Sequence, residues 1–403
     1  MSLYRFPLLD DVENVELYRP GGYHPVNLND VIGSRYKIIH KLGNGGFATI
    51  WLAKVLDEDR YVALKILMAS VSASDEELPT LNKLQSQGAN HPNIVHLQDF
   101  FTIEGPNGSH KCLVLDVVGP SLRQLRKHFF SNAMICNYIR QLAEGVTYMH
   151  SMGVCHGDLT DTNVLFELSN FNSWTITQVY QRLGQPRREK IRLRKGSSPG
   201  PSAPRKIVEA VQYDNVDEEW LSGGIRIADF GVCFLADCPP ERLPTPVSFT
   251  APEVFFQQKA STGSDVWALG CLIFQLRTSH LLFPAFFGQP GEAVGRIVQT
   301  LGSLPKDWQH RFVNCDLGDD HWFFNENKRE FSLESQISKV EPKLTSDEAA
   351  DFLSLLRGIF TYESDKRLSA QQIATHFGAS RSEPSAEGLF KNGSDYEEPQ
   401  PPL

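Results

Sequence analysis

No two of the seven cysteines are spaced as a CxxC pair. An odd, dispersed set (Cys112, Cys136, Cys155, Cys233, Cys238, Cys271, Cys315) supports neither a disulfide framework nor a zinc site, so buried reduced thiols are expected. Long apolar runs are missing too. The longest, Val266 to Leu276, is far too short to span a bilayer. Met1 to Glu16 carries acids and lacks the apolar stretch of a signal peptide. No membrane association is expected, and the location expected is cytoplasmic, nuclear or both. Excess positive charge is also absent, since the chain stands at −9. That balance disfavours direct nucleic-acid binding and suits a basic protein partner. The charge is uneven: Arg182 to Lys206 holds nine Lys/Arg against one acid, Glu189, so +8, which leaves −17 for the rest.

The 403 residues allow two lobes plus decoration. Residues 1–35 are polar and rich in turn formers, and read as an extension lying on the first lobe. From Tyr36 the pattern predicts short strands at Tyr36–Leu42, Thr49–Lys54, Tyr61–Leu67, Ile94–Phe101 and Cys112–Val117, with one helix at Asp75–Gln87. After Pro120 the chain turns helical. Ser121 and Gln124 are spaced as a capping box, and Ile135, Ile139, Leu142, Val146 and Met149 form a helical stripe. Further helices fit Ser264–Arg277, Gly291–Leu301, Ser346–Ile359 and Ser369–His376. Residues 167–222 hold one short helix, capped by Thr175 and Gln178, and then the basic Pro/Gly/Ser-rich tract, which by composition buries no core and is expected to be mobile. Residues 379–403 read as a disordered tail.

Four segments carry chemistry. Leu42-Gly43-Asn44-Gly45-Gly46-Phe47-Ala48-Thr49-Ile50 sets glycines between two strands, where backbone amides can approach phosphates. By itself a glycine turn in any hairpin looks similar. Val62-Ala63-Leu64-Lys65 ends an apolar strand on a lysine that can reach phosphate oxygens. A helix carrying Glu76 and Glu77 follows, and a carboxylate there can hold Lys65. Spacing to Leu81 and Leu84 favours Glu77, although Ser74 and Glu77 are also spaced as a capping box. Cys155-His156-Gly157-Asp158-Leu159-Thr160-Asp161-Thr162-Asn163-Val164-Leu165 puts an aspartate and an asparagine five apart after a long helix, suited to a base near a hydroxyl and a ligand for Mg²⁺. Ile227-Ala228-Asp229-Phe230-Gly231 offers a second metal carboxylate after a short strand.

In this order, with His91-Pro92-Asn93, Ala251-Pro252-Glu253, Asp265-Val266-Trp267-Ala268-Leu269-Gly270 and Arg367, the chain resembles the eukaryotic protein kinases over about residues 36–378. Within them it is most similar to SR-protein kinases of the compact fungal type, on Gly21-Gly22-Tyr23-His24-Pro25-Val26, Arg35-Tyr36, and Phe47 through Ala53, and on the position of its insertion. The resemblance implies an α+β, two-lobed kinase fold: an antiparallel sheet with one helix at 36–118 and a larger helical lobe at 119–378. It implies ATP and Mg²⁺ as cofactors and a monomer acting on Ser or Thr of basic, Arg/Ser-type proteins. Lys65 would bind the α- and β-phosphates, with Glu77 positioning it. Asp158 would be the catalytic base, and Asn163 and Asp229 the Mg²⁺ ligands. Leu42, Gly43, Gly45, Gly46 and Phe47 would cover the nucleotide, and Ile50, Ala63 and Leu165 would sandwich adenine. Leu115 would be the gatekeeper, with Asp116 and Val118 as hinge hydrogen-bonding positions. Glu253 and Arg367 would form a buried pair.

Three departures stand against the pattern. Ala48 replaces the third loop glycine, Gly157 replaces the arginine before the catalytic aspartate, and Thr160 stands where the family usually has a lysine facing the γ-phosphate. A lost charge clamp in a dry site costs on the order of 10²-fold in rate. The alternative is therefore a pseudokinase-like scaffold with weak or no transfer. The run Arg192-Leu-Arg194-Lys195-Gly-Ser197-Ser198-Pro199 also allows the insertion to act as an internal mimic of a basic substrate.

Overall fold

The structure is a computed structural model that describes residues 3–86, 88, 90–125, 130–195, 199–214, 216–256, 259–309, 329–340 and 343–379. Ser197, Ser198, Cys315 and residues 380–403 therefore lie outside the described residues.

Alternating apolar residues from Tyr36 onward build a six-stranded antiparallel sheet in the order β1-β2-β3-β4-β6-β5. Its strands are β1 (Val31–Ile32), β2 (Tyr36–Asn44), β3 (Ala48–Val55), β4 (Tyr61–Leu67), β5 (Leu97–Gly105) and β6 (Gly108–Leu115). The period of two decides what each face does. On β4, Val62, Leu64 and Ile66 pack with Trp51, Val114 and Tyr36 on one side. Ala63 faces the opposite way, into the core that continues into the helical lobe, and so Lys65 shares its face. A short helix α1 (Ala69–Ser72) leads to α2 (Glu77–Gln85). Asp75, not Ser74, caps α2, accepting the N–H groups of Glu77 and Leu78 at 3.0 and 3.3 Å. That leaves the Glu77 side chain for another partner.

The helical lobe is built on α3 (Asn132–Ser151), whose apolar stripe is buried as expected, and on α6 (Thr262–Thr278), buried nearly all round. The other elements are β7 (Val154–Cys155), β8 (Val164–Leu168), α4 (Ile176–Leu183), β9 (Arg188–Lys190), β10 (Lys206–Val208), β11 (Leu221–Ile227), β12 (Phe234–Leu235), α5 (Pro252–Phe255), α7 (Pro290–Leu301), α8 (Leu333–Ile337), α9 (Ser346–Ile359) and α10 (Ala370–Ala379). The two-lobed α+β arrangement that the resemblance implies is thus present. Ser121 and Gln124 do make their reciprocal bonds, at 2.9 and 3.3 Å, around a turn; residues 126–129 lie outside the described residues. Among the described residues, no helix is long and apolar enough to cross a membrane.

The insertion departs from expectation. Composition suggested a tract that buries nothing, yet β9 pairs with β10, and Ala203 and Ile207 are buried among Tyr4, Val15, Tyr18, Tyr23 and Met68. Leu193 bridges Tyr4, and the Arg5 N–H donates to the Arg192 carbonyl at 2.8 Å. Upstream, α4 is fixed by its capping box and lays Val179 and Leu183 against Ile39 and Leu52 of the sheet. The apolar residues of the tract are sparse, but they meet aromatics supplied by the N-terminal extension about 180 positions earlier, which local composition cannot register. The described part of the tract is engaged with that extension, so it lends no support to an internal substrate mimic.

Candidate active site

The glycine loop joins β2 to β3, with Gly43 opposite Ile50 and Asn44 opposite Thr49. Its glycines are not required by the fold itself. A Cβ on Gly43, Gly45 or Gly46 would meet no atom within 4 Å, and none of the three has a positive φ. What glycine provides there is open space over the backbone, the shape of a cradle for phosphate. Phe47 at the tip is exposed. The loop is also held from behind: the Tyr23 hydroxyl donates to the Gly45 carbonyl at 2.7 Å, and Asn44 Nδ2 donates to Asp11 at 2.9 Å. Below it, Lys41 is completely buried against Glu13, which also accepts from the Tyr18 hydroxyl, and Lys41 Nζ reaches the Val208 carbonyl at 3.1 Å.

Lys65 lies between two acids, with Nζ 2.6 Å from Glu77 Oε2 and 2.8 Å from Asp229 Oδ1. Burial pulls the Lys65 pKa down, but the two carboxylates more than offset it and leave the ammonium raised above its ordinary value. Lys65 in turn holds the Asp229 carboxyl below the usual range. Asp229 sits at φ 65, in the left-handed region, a conformation that costs on the order of 1–3 kcal/mol for a non-glycine residue. Its side chain is 54% exposed, so the carboxylate opens on the cleft although one oxygen is taken by Lys65.

The catalytic-loop candidates fold back on themselves. Asn163 Nδ2 donates to the Asp158 carbonyl at 2.8 Å and to Asp158 Oδ2 at 3.0 Å. The other oxygen, Asp158 Oδ1, is buried without a hydrogen-bond partner. Burial, and then the charge of Asp229, raise the Asp158 pKa to about 7, against the opposing effects of Asn163 and Arg123. The Ala228 N–H donates to the Asn163 carbonyl at 2.9 Å, and the Ile227 N–H to the Asn93 carbonyl at 2.9 Å, which ties the strand before Asp229 to both flanking segments. At the back of the cleft, Ala63 pairs with Leu115 across β4 and β6. Leu42, Ile50 and Val118 pack partly buried against the same core, and Leu165 sits on β8 opposite Arg226. The Asp116 N–H is taken by the His96 carbonyl at 3.3 Å, while its side chain binds Arg226, His96 and Gln98.

Two departures acquire a physical reason. Gly157 has φ 73, and a Cβ there would meet the Val232 carbonyl at 3.0 Å and Leu243 at 3.2 Å, so any side chain at this position is strained. Thr160, expected beside the γ-phosphate, is instead 1% exposed, and its hydroxyl lies 2.8 Å from that of Thr162. The neighbouring cation is Arg123, whose Nε and Nη2 lie 3.0 and 2.9 Å from Asp161 Oδ1; Gln275 holds the other oxygen at 3.0 Å.

Asp265, to which the sequence motif gives no role, anchors the catalytic loop. It accepts the N–H groups of His156 and Gly157 at 2.7 and 3.0 Å, and His150 Nε2 lies at 3.0 Å. An acid directly before the long apolar run of α6, on a helix buried nearly all round, is the available signal, because a buried charge must have specific partners. His156 itself packs on Phe230, with ring centroids 5.5 Å apart.

A family profile described as "Protein kinase domain" matches residues 36–177 and 211–377. The chain is 27% identical over 403 residues to "Serine/threonine-protein kinase SRPK" of Physarum polycephalum, covering 90% of each. It is 32% identical over 225 residues to "Serine/threonine-protein kinase SKY1" of Saccharomyces cerevisiae, covering 52% of this chain and 29% of that one. Against "SRSF protein kinase 3" of Homo sapiens it is 32% identical over 167 residues, covering 39% and 30%. The crystal structure of the PF14_0431 kinase domain superposes with a TM-score of 0.60 at 21% identity, covering 88% of this chain and 98% of that one, a likeness of fold.

Proposed function

The chain belongs to the protein kinase family as an SR-protein-kinase-like serine/threonine kinase, and on that footing we propose that it transfers the γ-phosphoryl group of ATP to serine or threonine in basic, Arg/Ser-rich proteins. The observation that carries the reading is the convergence of Lys65, Glu77 and Asp229 in one ion-paired cluster, with Asp158 tied to Asn163. The family generally works with ATP and Mg²⁺. The residues here fit both: the glycine loop leaves room for phosphates, and Asp229 and Asn163 are oxygen-bearing side chains of the kind Mg²⁺ takes. When bound, Mg²⁺ would neutralise charge on the phosphate oxygens.

In this mechanism Lys65 orients the α- and β-phosphates, and Glu77 keeps its ammonium in place. Asp158 Oδ1, which has no partner, accepts the proton of the substrate hydroxyl as the new O–P bond forms and the bond to the β-phosphate breaks. Asn163 holds the other carboxylate oxygen, which leaves Oδ1 to take the proton. Arg123, paired with Asp161, is a cation beside the loop whose charge is felt at Asp158. The net −17 outside the basic tract favours a cationic substrate, and the naming of one relative for SRSF proteins agrees with that.

The scaffold reading keeps one observation in its favour, the burial of Thr160 where a lysine is expected. Phosphate transfer from labelled ATP to a basic Ser/Arg peptide and to a size-matched acidic peptide decides between them. Transfer to the basic peptide, abolished by Asp229→Ala, supports the proposal. Nucleotide binding without transfer to either peptide would favour the scaffold.

A further inference from the structure

Outside the cleft between the lobes, the extension and the insertion form a recess of about 350 Å³ on the first lobe. That volume is within the range of small-molecule sites. One wall is the turn Asn27–Asp30, and the other is the hairpin of β9 and β10. The two walls are fastened to each other and to the sheet. The Arg205 N–H donates to Asn27 Oδ1 at 3.0 Å, and Val208, which also lines the recess, packs with Val26 and Ile38.

Three cations line it, Arg188, Arg205 and Lys206. Among the described residues, none of their side chains has an ion pair or a hydrogen bond. The strand register adds to the positive charge. It sets Lys206 directly opposite Lys190, with Arg188 two residues along on the same face. Like charges directly opposite one another disfavour strand pairing, a cost that a bound anion would relieve. The nearby acids are engaged elsewhere. Glu189 accepts the Leu8 N–H at 2.7 Å, and Glu209 is buried and pairs with Arg187 at 2.7 Å. Asp30 Oδ2 accepts from the N–H and Nδ2 of Asn27 at 2.7 and 3.2 Å. With Asp30 counted, three cations and one acid leave the lining at +2. A concave surface lined by one sign of charge focuses its field on the counter-ion. A phosphomonoester brings about two negative charges at neutral pH and three acceptor oxygens, and a guanidinium fork matches phosphate geometry.

We propose that this recess binds a phosphomonoester dianion, its oxygens shared among Arg188, Arg205 and Lys206. The site is independent of the phosphotransfer reading.

The test is calorimetric titration of the full chain, in chloride at constant ionic strength. The probes are inorganic phosphate, a phosphoserine peptide with neutral flanks, and the same peptide unphosphorylated. At least one of the two phosphates should bind saturably, and the unmodified peptide should not. Tighter binding of the phosphopeptide supports the proposal and assigns the site to phosphorylated protein. Equal or tighter binding of inorganic phosphate supports it and assigns the site to the free ion. Arg205→Gln combined with Lys206→Gln, at exposed and half-buried positions, should weaken binding by at least about tenfold, as the loss of two charge-assisted hydrogen bonds does. Lys190→Glu, which sets a carboxylate opposite Lys206, should compete with the phosphate and weaken it as well. A melting curve for each variant confirms that it is folded. No saturable binding of either phosphate up to millimolar concentration, equal binding of the unmodified peptide, or undiminished binding in either folded variant would overturn the proposal.

Discussion

Arg367 grips Glu253 with both ends of its guanidinium, at 2.8 and 2.7 Å, and both side chains are 1% exposed. Ser264 donates to the same carboxylate at 2.9 Å, and Trp267 lies under the guanidinium at 5.0 Å. The pair fastens α5 to the segment just before α10, and Ser264 and the Gly263 carbonyl bring in the start of α6. Removing one partner leaves the other charge buried, which costs about 3–5 kcal/mol. Arg367→Ala should therefore unfold at markedly lower urea concentration with an unchanged denaturant slope. A loss below about 1 kcal/mol would place the pair among solvent-screened surface bridges.

As the proposed base, Asp158 should make the reaction pH-dependent. Its pKa is raised to about 7, and only the ionised form can accept a proton, so kcat/KM for the peptide should rise with pH and level off above about 7. The same shift has a consequence for stability. A carboxyl with a raised pKa in the fold favours folding in its protonated form, and that contribution is lost as pH rises through 7. Asp158→Asn should abolish turnover with nucleotide affinity nearly intact. It should also unfold at a higher temperature than the parent at pH 8, and this advantage should vanish near pH 4. An advantage equal at both pH values would remove titration of Asp158 as its cause.

Burial of Thr160 alters what a restored lysine would do. At a position 1% exposed, Thr160→Lys must push aside packed neighbours, at a cost of about 1–3 kcal/mol. It should be destabilised and no faster per folded molecule. Arg123→Ala should instead lower kcat with little change in melting temperature, since the Arg123 side chain is more than half exposed. Peptide kinetics on both variants, normalised to the folded fraction, check this. A faster Thr160→Lys enzyme would return that position to the phosphate's side of the loop.

Tyr23 reaches the glycine loop from the extension. Its hydroxyl bond to the Gly45 carbonyl at 2.7 Å is of the class that contributes about 0.5–1.5 kcal/mol. Tyr23→Phe should raise the KM for ATP, by no more than about tenfold, and leave kcat for a saturated enzyme almost unchanged. A fall in kcat at constant KM would show that the bond serves the transfer step and not nucleotide capture.

The longer strands of the first lobe and the longer helices of the second were legible because each obeys a local period, as Val62, Leu64 and Ile66 do on β4; short elements such as β7, β12 and α5 were not. The candidate site was legible through spacing, as in the step of five from Asp158 to Asn163, whose side chains meet. What could not be read were partners distant in sequence. Nothing near Asp265 announces that its oxygens hold the His156 and Gly157 amides. Nothing near Ile207 announces Tyr4. Thr160 could be aligned to a phosphate-binding position, but the direction of its side chain depends on a loop path that alignment does not carry.

The meeting of Leu193 with Tyr4 also sets a timetable for biosynthesis. At about 5–20 residues per second, roughly 10–40 s separate the appearance of these two residues from the ribosome. Through that interval the aromatics Tyr4, Tyr18 and Tyr23 lack the cover that Ala203 and Ile207 will give them, and Lys41 lacks the Val208 carbonyl. A nascent chain halted near residue 170 thus displays a sticky, unfinished first lobe. Slow codons or stalls in that window would make it a natural client for chaperones that hold exposed aromatic surface.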